Sequence, residues 1–492
     1  MTSDLPVAGV TPSVASDRLA RDRLGTFSIF FLVVSAAAPL TVIVNSGIFY
    51  HFGGIGAPGA MLFAGITLIL FSLGLTAMSR HVRNAGAFYA YAAKGLGKPI
   101  GVGIASVATF SYAVLTVAFF TWLGFYAAQS GRDLFGVDVS WGVYSLAGIA
   151  IAGVLGYRNV DIGARVIAVL LTCEITLMLV LAIAVLVQVG PAQLTWAPFA
   201  PEHVFFAHGA GSLFIVGFGS YVGFEGTVIY AEEAKDPDKS VVRATFLAVA
   251  VLAALYAFLM WILVVAFGVD GLLKIVNGSD FGADLAFDAA HQYLGRAAVV
   301  VMHILIVTSW FACAFSFHNA CTRYFYSMGR EGLLPRTLSR THRDMQSPHH
   351  ASLLVTAIAV IATLLSLALG LDPFTQTSIW AYSCGVVGVV FAQGMASLAS
   401  VGYFSRVSHR FSPWRVIVAP ALGALGLFIG VYLIISNFSI VSGLEGAVNW
   451  IFIGATPLFF LGGLIAGFMM KWFAPDRYRQ LAEIDIDRAP AS

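Results

Sequence analysis

Long apolar runs separated by short polar stretches bearing Arg and Lys dominate this chain. Each run has about the length a helix needs to cross a bilayer. At 1.5 Å of rise per residue, a hydrocarbon core of roughly 30 Å takes about 20 residues. Twelve runs are read, at about 27–50, 57–79, 99–128, 140–157, 162–189, 207–231, 244–268, 297–327, 350–370, 375–402, 414–436 and 448–472. An outer-membrane barrel would instead show ten-residue segments of alternating polarity. The pattern predicts an all-α integral membrane protein with about 12 transmembrane helices. The third run exceeds a simple span and predicts a tilted helix. Before it, residues 86–98 (GAFYAYAAKGLGK) predict a short interfacial helix with aromatics on one side. The longest connection, about 269–296, carries Asp270, Asp280, Asp284 and Asp288 and is too short for a separate catalytic domain.

Two runs interrupt their own apolar pattern. Gly217-Phe218-Gly219-Ser220-Tyr221-Val222-Gly223-Phe224-Glu225 sets three glycines, a serine and a carboxylate inside the sixth run. Irregular backbone survives at membrane depth only where it lines a cavity, and an ionisable side chain there points to function. The plainer alternative is a glycine-rich helix packed closely on a neighbour. The first run carries Ser35-Ala36-Ala37-Ala38-Pro39-Leu40-Thr41 at its middle, and a mid-helix proline removes a backbone hydrogen bond. Interruptions at corresponding positions of two halves point to a transporter's central site. Five helices, five inverted ones and two peripheral helices account for twelve. The predicted division is a cytoplasmic tail 1–26, a ten-helix inverted-repeat core 27–402, two peripheral helices 403–472 and a cytoplasmic tail 473–492.

Composition agrees with a membrane protein. Of 492 residues, 59% are hydrophobic and 11% charged, against about 25% charged in soluble domains. The net charge of +2 says little, but the placement of charge is informative. With the N-terminus inside, only Arg132, Lys274 and Arg296 of the 27 Lys and Arg fall on the outer side, as the positive-inside rule requires. A multi-pass protein of the plasma (inner) membrane with both termini cytoplasmic is expected. The first 26 residues lack a signal peptide's apolar core and cleavage site, so the first span is expected to be retained. Cys173, Cys313, Cys321 and Cys384 fall inside spans and read as small buried hydrophobes, without disulfide or metal spacing. No Walker A, HExxH or GxSxG stretch supports an enzyme.

Three stretches carry a family resemblance. Ser220-Tyr221-Val222-Gly223-Phe224-Glu225, with Glu232-Glu233-Ala234-Lys235-Asp236-Pro237 and Arg243-Ala244, resembles the sixth-helix signature of the amino acid–polyamine–organocation permeases. Asn84-Ala85-Gly86-Ala87-Phe88-Tyr89-Ala90-Tyr91 is similar to that family's loop after helix 2, and Gly329-Arg330-Glu331-Gly332-Leu333-Leu334-Pro335 to its loop after helix 8. The matches keep the expected order across roughly residues 25–470. The resemblance implies a LeuT-like 5+5 inverted repeat with helices 1 and 6 broken at the substrate. Contacts would come from Ala37, Ala38, Pro39, Leu40 and Thr41 on helix 1, and from Phe218, Gly219, Ser220 and Tyr221 on helix 6. Half-helix ends carry the partial charges such a site needs, and Phe218 and Tyr221 would form aromatic walls or a gate. Helix 1 departs from the family's glycine cluster. Its Ala-Ala-Pro-Leu-Thr-Val looks closer to bacterial putrescine importers, which keeps an amine lacking a carboxylate open.

Two acids are candidates for proton or ion coupling. Glu174 sits mid-span among apolar residues, where relatives place a lysine, and Glu225 lies just past the helix 6 break. The plainer alternatives are a protonated structural acid bonded to a neighbouring helix for Glu174 and a structural partner for a helix end for Glu225. His303 and His318 read as bonded packing residues, and Glu232, Glu233, Lys235, Asp236 and Lys239 as a cytoplasmic loop with salt bridges. Trp141, Trp196, Trp414, Trp450 and Trp472 read as interface anchors, and Trp310 and Trp380 chiefly as packing. The expectation is a secondary active transporter of an amino acid or related amine, by alternating access, as proton symport or antiport. Rivals are a polyamine or organic-cation importer and a membrane-embedded sensor. Expected partners are a small-molecule substrate, a coupling proton or sodium and the lipid bilayer, with no nucleic acid, metal or cofactor.

Overall fold

The structure is a computed structural model that describes residues 24–82, 88–158, 164–229, 234–278, 282–342, 345 and 347–482. Residues 1–23 of the predicted N-terminal tail and 483–492 of the C-terminal one therefore lie outside the described residues, as do Asn84 to Ala87, Glu232, Glu233 and Asp280. Among the described residues the secondary structure is helical, with one isolated bridge between Leu24 and Ala234.

The first half runs α1 (Thr26–Ala37), α2 (Pro39–Val44), α3 (Ser46–Gly53), α4 (Ala57–Met78), α5 (Phe88–Gly95), α6 (Lys98–Phe135), α7 (Trp141–Tyr157) and α8 (Ala164–Val189). The chain continues through α9 (Leu213–Gly219), α10 (Gly226–Ile229), α11 (Pro237–Phe267), α12 (Val269–Val276), α13 (Leu285–Leu294) and α14 (Arg296–Arg330). It ends with α15 (His349–Ala368), α16 (Ile379–Phe404), α17 (Ala419–Ser436), α18 (Phe438–Ser442), α19 (Gly446–Phe473) and α20 (Pro475–Gln480). Ten helical segments among the described residues are long and apolar enough to cross a membrane. The other two predicted runs form shorter apolar helices, Trp141–Tyr157 and Ala210–Gly219.

Local chemistry sets many of the ends. Asp236 caps α11, accepting from the Lys239 N–H at 3.3 Å, with Pro237 at the first helical position. Proline suits that position because its N–H would be unsatisfied there anyway. Helix α6, about 57 Å long at 1.5 Å per residue, packs on α7, α14, α16 and α19. Small residues let the backbones close up. A methyl on Gly463 would lie 2.7 Å from the Val102 carbonyl of α6.

Two expectations are corrected. Helix α5 does not lie on the protein's surface, because Phe88, Tyr89, Ala90, Tyr91, Ala92 and Ala93 are all buried and the helix packs between α6 and α16. Three cysteines are buried as expected, but Cys173 is exposed on α8. Trp196, Trp414, Trp450 and Trp472 are exposed, as anchors should be.

Candidate functional site

Helix 1 breaks at a single residue. Ala38 has φ 45 and ψ 71, a left-handed conformation that costs a non-glycine residue roughly 1–2 kcal/mol. Pro39 is therefore not in mid-helix but is the first residue of α2. The carbonyls around the break already accept from the protein. Ala36 accepts from Cys313 Sγ at 3.1 Å, Ala37 from the Tyr256 hydroxyl at 3.0 Å, and Ala38 from the Thr41 N–H and hydroxyl at 3.0 and 2.8 Å.

Helix 6 breaks over a longer stretch. Helix α9 ends at Gly219, residues 220–225 form successive turns, and α10 begins at Gly226. Gly223 adopts φ 113, open to glycine because it has no Cβ. A methyl there would meet Ala36 Cβ at 3.3 Å and Phe317 at 3.4 Å. The two interruptions thus lie against each other, far apart in sequence and adjacent in space.

Beside them is a cavity of about 60 Å³, room for roughly four or five waters. Of the predicted residues, Ala37, Thr41, Gly219 and Ser220 line it. Ala38, Pro39 and Leu40 are not among its lining residues. The Phe218 and Tyr221 side chains turn away from it. Phe218 packs on Gly430 of α17 and on Phe214, while the Tyr221 hydroxyl donates to the Met61 carbonyl at 2.8 Å. The aromatic lining comes instead from Phe49 on α3, Phe119 and Trp122 on α6, Trp310 on α14 and Tyr382 on α16. Trp122 lies 5.0 Å from Trp310 and 5.2 Å from Tyr382 between ring centroids.

Among the described residues no Asp, Glu, Lys, Arg or His lines this cavity. Four lining residues carry buried polar atoms without a hydrogen-bond partner: Trp122 Nε1, Trp310 Nε1, Ser220 Oγ and Ser383 Oγ. They are four of 23 such atoms among the described residues, and a buried polar atom without a partner asks for an explanation.

Both predicted acids are buried, at 4% and 1% relative exposure for Glu174 and Glu225, but neither lines the cavity. Glu225 Oε1 accepts from the Tyr112 hydroxyl at 2.5 Å. Its Oε2 accepts from the Gly223 N–H at 3.0 Å and from Gln393 Nε2 at 3.4 Å. The carboxylate thus folds back onto the broken segment and satisfies it. Glu174 Oε2 accepts from the Ser309 hydroxyl at 2.9 Å, and its carboxyl also engages the Leu40 backbone, where helix 1 restarts.

The remaining candidates are structural in their contacts. His303 Nδ1 pairs with Ser130 at 3.1 Å, and its Nε2 lies 3.7 Å from Asp133. His318 Nε2 pairs with Thr356 at 3.0 Å. Trp310 lines the cavity, whereas Trp380 donates to the Ser442 carbonyl at 2.8 Å. Lys239 pairs locally with Asp236 at 3.3 Å, and Arg80 reaches the Asp238 carbonyl at 3.0 Å. Two loops singled out by sequence meet directly, as the Tyr89 hydroxyl donates to Glu331 Oε2 at 3.1 Å. Sequence reasoning missed Tyr112, Trp122, Tyr256, Tyr382 and Gln393. Their signal was present, because a hydroxyl, indole or amide deep in a span must find a partner.

A bundle of apolar helices, two of them interrupted side by side at an uncharged buried cavity, defines a multi-pass membrane protein of transporter type. The profile of the amino acid permease family matches residues 24–460, and the chain belongs to that family of membrane transporters. It is 28% identical over 309 residues to the uncharacterized amino acid permease YecA of Bacillus subtilis, covering 58% of this chain and 68% of that protein. Over 364 residues it is 24% identical to the low-affinity putrescine importer PlaP of Escherichia coli, covering 72% and 76%. Over 361 residues it is 21% identical to the branched-chain amino acid permease BcaP of B. subtilis, covering 69% and 74%.

Proposed function

We propose that this protein is a secondary active transporter that carries an amino acid or a related amine across the plasma membrane by alternating access, coupled to protons. Counting α7 and the α9–α10 segment with the ten long spans gives twelve helices. The first ten, residues 27–402, are read as a LeuT-like inverted repeat and residues 403–472 as two peripheral spans, with both termini cytoplasmic. The substrate sits between Ala37 to Thr41 and Phe218 to Tyr221, and Glu174 or Glu225 carries the proton.

The observation that carries the substrate class is the set of unpartnered polar atoms around a cavity without charged lining. An indole N–H only donates, so Trp122 and Trp310 call for an acceptor, such as the carboxylate of an amino acid. Leaving a buried donor unsatisfied costs about 1–3 kcal/mol. The ring faces suit the ammonium through cation–π attraction. A diamine has no acceptor when protonated and leaves both indoles unsatisfied. The putrescine reading is favoured by one observation, the likeness to PlaP over most of both chains.

A competition screen in energised proteoliposomes separates the two. Neutral amino acids should displace the transported substrate, and Trp122→Phe or Trp310→Phe should weaken them about tenfold, the loss of one hydrogen bond to a charged acceptor. Displacement by putrescine but not by amino acids refutes the amino acid reading.

A further inference from the structure

A second, larger cavity lies away from the helix breaks. It occupies about 610 Å³ between α6, α14 and α19, beneath the loop from Gly332 to Leu334. That volume is in the range of small-molecule sites. Its walls are mostly apolar, with Ala105, Phe110, Met328, Phe459, Ala466 and Met470 among them beside the hydroxyls of Ser106 and Thr109. Phe110 and Phe459 stack at 4.1 Å between centroids and close one end. Gly462 of α19 faces open space there, since a Cβ on it would meet no atom within 4 Å.

The other end of the cavity is cationic. Arg477 of α20 lines it, is exposed, and has no ion-pair partner among the described residues. Lys98, at the start of α6, lies over the Tyr478 ring and donates to the Arg479 carbonyl at 2.7 Å. Lys471 and Arg479 stand on the same short stretch of chain, against a single acid in α20, Asp476. Trp472 and Phe473, 78% and 82% exposed, mark this end as the membrane interface. Helix α19 is mostly exposed along its length and presents the cavity to lipid.

We propose that this cavity binds a phospholipid with an anionic headgroup, one acyl chain lying along Met328, Ala466 and Phe459 and the phosphate at Arg477. The apolar walls supply the burial term, and the cationic rim selects the headgroup, as basic pockets between membrane helices do. The site is independent of the substrate reading.

Native mass spectrometry of the purified full-length protein, incubated with phosphatidylglycerol or phosphatidylcholine, tests it. The wild type should retain phosphatidylglycerol preferentially. Arg477→Ala should cut that preference about fivefold, the worth of one cation near an anionic surface. Gly462→Leu fills the cavity and should reduce retention of both lipids, with thermal unfolding confirming a folded protein and Gly462→Ala serving as the milder variant. Equal retention of the two lipids by the wild type overturns the proposal, as does unchanged retention in both Arg477→Ala and Gly462→Leu. A dimer that Gly462→Leu dissolves also overturns it, in favour of a second copy on this face.

Discussion

Replacing Glu225 by glutamine separates the charge of this side chain from its hydrogen bonds. The carboxylate accepts three bonds, from Tyr112, Gly223 and Gln393. A glutamine amide can keep the Gly223 and Gln393 bonds through its oxygen, while the Tyr112 contact must reverse, its NH₂ donating to the hydroxyl oxygen. What is lost is charge assistance, about 1 kcal/mol per contact from the difference between charged and neutral hydrogen bonds. Glu225→Leu, by contrast, strands the Gly223 N–H and the Gln393 amide at about 1–3 kcal/mol each. Thermal unfolding in detergent should therefore rank wild type just above Glu225→Gln and well above Glu225→Leu. In proteoliposomes, Glu225→Gln should insert and bind substrate but lose the pH dependence of uptake. Uptake with wild-type pH dependence removes Glu225 from coupling. A Glu225→Gln variant as unstable as Glu225→Leu refutes the hydrogen-bond reasoning itself.

Glu174→Gln, measured in parallel, should keep the Ser309 bond and flatten the pH profile only if Glu174 carries the proton; an unchanged profile assigns it a structural role. Gly219→Ala places a methyl against the Tyr382 hydroxyl, 2.7 Å from Cζ and 2.9 Å from Val386. Overpacking costs about 1–3 kcal/mol, and because the ring tip is displaced beside the cavity, substrate affinity should fall with little loss of folded protein. Tyr256→Phe frees the Ala37 carbonyl at the helix 1 break and should lower the unfolding temperature by the worth of one hydrogen bond, about 1 kcal/mol. An unchanged unfolding temperature would mean that this carbonyl finds another donor.

The sequence by itself determined the class of fold, because long apolar runs without alternating polarity cross a bilayer as helices, and ten of the helical segments among the described residues meet that length. It also located both breaks, since glycine, proline and carboxylate inside a span announce that the hydrogen-bond ladder stops there. Even so, the left-handed residue proved to be Ala38, with Pro39 restarting the helix behind it. Which side of each helix faces inward was not legible. In a soluble protein the polar face of a helix marks the outside, but lipid is as apolar as the bundle, so Phe218 and Phe119 look alike in sequence. Only the tertiary structure turned Phe218 onto Gly430, brought Phe119, Trp122, Trp310 and Tyr382 to the cavity, buried α5 and left Cys173 exposed. Close packing decides those orientations through partners more than a hundred residues away, such as Tyr112 for Glu225 and Ser309 for Glu174. A local pattern carries no record of such contacts.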